Sequence, residues 1–189
     1  MKTIPPRLMG VMLLGAFALH ASSKDLAHLQ EMLWLCHVGT VVMAVGLLAG
    51  WHRWVIAGFM LHLGCGTVAW AMDALVMHDT TLSSVLVHAL PLTFGALEVR
   101  RKGWPSGVVF PAWLCFSAWV LCCHWLTDPA LNVNVANRPW GPLEHVLGGV
   151  WISGALNSGL MLVGFLLVDA VMRRWAPRPR PLAVDSPPG

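Results

Sequence analysis

The chain has 189 residues; 57% are hydrophobic and only 11% are Asp, Glu, Lys or Arg. A water-soluble domain normally carries about a quarter charged residues, so a soluble enzyme, a nucleic-acid binder and a disordered chain are excluded, and lipid is the expected solvent. The formal net charge of +3 calls for no nucleic-acid partner.

Six apolar runs follow one another: 8–21, 32–50, 54–77, 82–97, 106–126 and 146–168. Each is read as a transmembrane helix. The first is short and ends in Ala21-Ser22-Ser23. It is read as a retained helix, with a cleaved signal peptide as the alternative, which would leave five spans. The expected fold is therefore an all-α, polytopic integral membrane bundle of six (or five) helices over residues 1–172. Residues 173–189 hold several Arg and Pro and read as a disordered basic tail.

Charge placement orients the bundle. With the N-terminus cytoplasmic, ten of the twelve basic residues fall on the inner side, from Lys2 and Arg7 to Arg178 and Arg180; Lys24 and Arg138 fall outside. That follows the positive-inside rule and puts both termini in the cytoplasm, in a bacterial-type inner (plasma) membrane. Several of the eleven Trp, among them Trp51, Trp54, Trp104, Trp140 and Trp175, stand near run ends, where indole favours the membrane interface. The five Cys lie inside apolar runs without metal-knuckle spacing.

Ionisable side chains at membrane depth are costly and therefore mark candidate sites. In run two these are Cys36, His37 and Thr40. In run three, His62 is mid-depth, and Gly66, Ala69 and Asp73 follow on its helical face. Run four brings Ser84 and His88, run five ends at His124, and run six starts beside His145. The loop between the last two holds Asn132 and Asn134. In the assigned orientation these residues gather in the outer half, as a polar pocket facing the periplasm, with the loop 128–142 as its lid. His20, His28, His52 and His78 fall near interfaces and read as structural.

The stretch from Val85 through His88, Pro91 and Glu98 to Arg100, the basic loop ending in Trp104-Pro105-Ser106, and Pro142-Leu143-Glu144-His145 resemble one known family. This is the androgen-induced and androgen-dependent TFPI-regulating family, six-helix membrane hydrolases of fatty-acid esters of hydroxy fatty acids. The resemblance implies a lipid ester hydrolase or acyltransferase with His88 as base. It places the nucleophile on helix two, where Cys36 stands in the family's Thr position and Thr40 follows one turn later. His37, His62, Asp73, Ser84, His124, Asn132, Asn134 and His145 would line the pocket or donate to the oxyanion. Such chemistry needs no cofactor; membrane lipids, including the ester substrate, are the expected partners.

Two alternatives stand beside it. One is a non-enzymatic membrane scaffold or carrier. The other is a haem, Zn or Cu site on the histidines, since imidazole suits these metals, although no HExxH or HxxxH pair is present.

Overall fold

The computed structural model describes residues 4–77, 80–139 and 149–176, apart from the side chains of Met72, Asp73, Val76 and Met77. Among the described residues there are seven α-helices and no strand. Helix α1 (Pro6–Ser22) opens on a proline, whose missing N–H would be unpaired there in any case. A 3-10 segment, Leu26–Leu33, follows. Asp25 caps it, its carboxylate accepting from the His28 backbone N–H at 3.0 Å, and its carboxyl is held below the usual range chiefly by the His28 ring.

Helix α2 (Leu35–Ala49) ends at Gly50, whose φ of +76° is the left-handed stop that glycine adopts without strain. The next span is continuous but has three parts: α3 (His52–Leu61), a π turn (His62–Gly66) and α4 (Thr67–Met77). Helix α5 (Leu82–Lys102) begins at Thr81, whose hydroxyl accepts from Ser84 N–H. The apolar run suggested an end near 97. The helix continues because Glu98 pairs with Lys102 one turn on, and it stops at Gly103, φ +78°. Helix α6 is Val109–Leu126 and α7 is Val150–Trp175.

Helix α7 also outruns its apolar stretch. Arg173 pairs with Asp169 at 2.6 Å, and Arg173 and Arg174 suit the negative end of the helix dipole. The helix thus takes in residues 173–175 of the expected tail; residues 177–189 lie outside the described residues.

Four of these spans are long and apolar enough to cross a membrane, counting His52–Ala71 as one. The segment Leu26–Leu33 with α2, bent by 65°, makes a fifth if taken as a single span. Helix α1 is apolar but has only 17 residues.

The core sits where α2 packs along α1 and α3, and α5 against α1 and α3. Met43, Ile56, Met60, Phe59 and Phe94 fill it. Helix α7 packs on α6 and the π turn, where Phe165 meets Gly64.

Candidate functional site

Proline creates the first condition for the site. Pro91 lies inside α5 and has no N–H for the carbonyl four residues back, that of Val87. In an apolar interior that carbonyl needs a donor from elsewhere. Thr40 of α2 reaches it, Oγ1 to Val87 O at 3.3 Å. Thr40 and Val87 are both fully buried.

The π turn creates the second. One extra residue in a helical turn rotates everything beyond it by about 100°. His62 opens this turn one regular helical turn past Gly58, on the face that meets α2, and its Nε2 stands 3.1 Å from Thr40 Oγ1. His62 Nδ1 lies 3.4 Å from Thr67 Oγ1, on the far side of the same turn. Thr40 and His62 are both 0% exposed.

The Thr40 hydroxyl has one proton and three acceptors in reach. Besides His62 and Val87 O there is its own helix carbonyl, Cys36 O, at 2.9 Å. If His62 holds its proton on Nε2, it donates to Thr40, whose proton goes to a carbonyl. If His62 holds it on Nδ1, facing Thr67, Nε2 is free to take the Thr40 proton. The second arrangement is that of a nucleophile, a base and a group that orients the base.

Around this pair stand three further histidines, each on a different helix. The His37 and His88 ring centres are 6.1 Å apart, those of His62 and His88 6.2 Å, and those of His20 and His37 5.0 Å. His37 Nδ1 donates to Glu31 O at 3.0 Å, and His88 Nδ1 to Ser84 O at 2.8 Å. A neutral imidazole that donates through Nδ1 carries a lone pair on Nε2. Neither Nε2 has a partner among the described residues, and both are buried. Trp70 stacks on His88, centres 4.6 Å apart and planes 12° apart, and its Nε1–H donates to Ser84 Oγ at 2.8 Å.

The structure therefore gathers Thr40, His37, His62, Ser84 and His88. Cys36 lies beside them, but its Cβ packs on the bare backbone of Gly66, where an added methyl would come within 2.8 Å. The Asn134 amide is spent elsewhere: Oδ1 accepts from Leu35 N–H at 2.8 Å, at the start of α2, and Nδ2 donates to Leu33 O. Asn132 holds its own loop, accepting from the N–H groups of Asn137 and Arg138. His124 Nδ1–H donates to that loop, to Ala136 O at 3.0 Å. His145 and the Asp73 side chain lie outside the described residues.

Sequence reasoning passed over three members. His20, read as interfacial, lies 5% exposed in the cluster, its Nδ1 3.1 Å from Ser83 Oγ. Trp70 and Thr67 carried no charge to mark them. Their spacing from His62 fits one face only when the π turn is known. Among the described residues, no three His, Cys, Asp or Glu side chains are placed to hold one metal ion.

No protein-family model, curated protein or solved structure matches the chain.

Proposed function

We propose that the chain is a multi-pass membrane enzyme that transfers acyl groups from lipid esters, a hydrolase or acyltransferase with Thr40 as nucleophile and His62 as base. The observation that carries this is the 3.1 Å contact between Thr40 Oγ1 and His62 Nε2, with Thr67 behind the imidazole. In this reading Oγ1 attacks the ester carbonyl while its proton passes to His62 Nε2. The acyl–Thr40 bond forms, the alcohol leaves with the proton from His62, and water or a second alcohol then takes the acyl group by the reverse route. Both residues are shielded from bulk solvent, which strengthens the electrostatics of the dyad. Because both residues are fully buried, this reading requires the flanking helices to part for the ester.

In this reading Thr40, on the expected helix, takes as its base the hydrogen-bonded His62 rather than His88, the base that the family resemblance implied. The charge pattern supports a plasma-membrane location with the histidine end of the bundle facing outward.

The test is hydrolysis of a fluorogenic long-chain ester by the full chain in detergent micelles. Thr40→Val and His62→Gln should each lower kcat by about 10²–10⁴-fold, while Thr40→Ser and Cys36→Ala keep measurable turnover. Loss of turnover in Cys36→Ala with retention in Thr40→Val would move the nucleophile to Cys36. Turnover unchanged in both Thr40→Val and His62→Gln would defeat the proposal.

A further inference from the structure

The dyad leaves two buried lone pairs unused. His37 is 4% and His88 3% exposed, and neither Nε2 has a hydrogen-bond partner among the described residues. A buried acceptor without a partner costs about 1–3 kcal/mol, so two of them on facing helices call for an explanation. Each ring is fixed by its other nitrogen: Nδ1–H donates to the backbone carbonyl of Glu31 in one case and of Ser84 in the other. That is the outer-shell arrangement that orients metal-ligating imidazoles and raises their basicity. His88 is further clamped by the Trp70 stack.

The separation of the ring centres admits one bridging ion. Two imidazole nitrogens each about 2 Å from a metal, with a nearly straight angle between them, put the ring centres roughly 6 Å apart; here they are 6.1 Å apart. In this tautomer each Nε2 is an acceptor, open to a hydrogen-bond donor or to a metal ion.

The identity of the ion follows from ligand number and charge. Zinc takes four ligands, or three and a water, and no third His, Cys, Asp or Glu among the described residues is placed to join the pair. Imidazole suits copper, and monovalent copper is content with two ligands in line. Two neutral imidazoles with a monovalent ion also bury one charge rather than two, and the desolvation cost rises steeply with charge. A haem does not fit. The macrocycle would need a slot between α2 and α5, and beside the pair these helices touch through Thr40 Oγ1 and Val87 O at 3.3 Å.

We therefore propose that His37 and His88 bind a single Cu(I) ion through their Nε2 atoms. The proposal goes beyond the acyl-transfer reading and does not depend on it, because neither ring belongs to the Thr40–His62–Thr67 set.

The test uses the purified full chain under anaerobic, reducing conditions, with Cu(I) supplied against the chromophoric chelator bicinchoninate. One copper per chain is expected, with an X-ray absorption spectrum showing two nitrogen scatterers at about 2 Å and no sulfur. Changes to outer-shell partners cost 10–100-fold in metal affinity, so His37→Gln and His88→Gln should each cost at least about 100-fold, while His124→Gln keeps wild-type affinity. The spectrum of the unaltered protein decides the matter if a variant fails to fold. No copper retained against the chelator, sulfur scatterers at the ion, or affinity unchanged in both variants would each overturn the proposal. Ester turnover measured without copper is a separate readout, so failure here leaves the acyl-transfer reading standing.

Discussion

At the far end of α5 from His88, Glu98 is buried to 1% exposure. Lys102 Nζ donates to its Oε1 at 2.8 Å and His52 Nδ1 stands 3.5 Å away, while Oε2 has no partner. A cavity of about 350 Å³ opens there, lined by Pro5, Arg7, Gly46, Leu48, Glu98 and Lys102. The two members of this pair should respond unequally to substitution. Lys102→Met leaves a buried carboxylate without its main cation, and we expect a loss of about 1–3 kcal/mol, because the ammonium itself is half in solvent. Glu98→Gln removes the buried charge and should cost less. Unfolding of both variants in mixed micelles measures the order. A larger loss for Glu98→Gln would show that the pair is a net stabiliser rather than a rescued carboxylate.

The same residue-by-residue reading shows what the sequence could disclose. Thr40, His37, His62 and His88 stand out in apolar runs, because a polar group at that depth needs a reason. Their pairing was hidden, because helical spacing placed His62, Gly66, Ala69 and Asp73 on one face. His62 and Gly66 do share a face, toward Thr40 and Cys36 of α2, but the π turn also brings Thr67, five residues on, against His62 Nδ1. A one-residue insertion in a helix leaves no mark on composition.

At the scale of elements, helix starts and close crossings carry the predictions. Asn134 lies 99 residues from Leu35 in sequence, yet its side chain caps α2 from a left-handed backbone position, φ +57°. Asn tolerates that conformation better than most residues. Asn134→Ala should cost about 1–2 kcal/mol as a lost cap, read as a drop in Tm. An unchanged Tm would remove Asn134 from the helix start. The α2–α3 crossing depends on Gly58, where a methyl would sit 2.6 Å from Gly39 O. Gly58→Ala should destabilise by about 1–3 kcal/mol. Gly15→Ala, with nothing within 4 Å of the new methyl, should be neutral or stabilise by up to about 1 kcal/mol. Equal effects at the two glycines would contradict the crossing. Helix ends were less legible than helix cores. In α5 and α7 the last turn is charged, so the apolar run stops before the helix does, and the i,i+4 pairs Glu98–Lys102 and Asp169–Arg173 carry it on.

At the scale of the molecule, the low charge count and the bare apolar flank of α7 have one cause. Trp151, Ile152, Leu160, Val163, Leu167 and Trp175 are all exposed along it, a face that water would not tolerate and lipid does. Inside the bundle, four helices bring histidines to one level around a hydroxyl that a proline-freed carbonyl and a π turn hold in place. The most direct measurement of the central claim is the site of covalent capture by an alkyl fluorophosphonate, mapped by mass spectrometry on the full chain. One adduct is expected, on the Thr40 side chain, abolished by His62→Gln with the protein still folded. An adduct on Cys36, Ser83 or Ser84, or labelling at Thr40 that persists without His62, would contradict it.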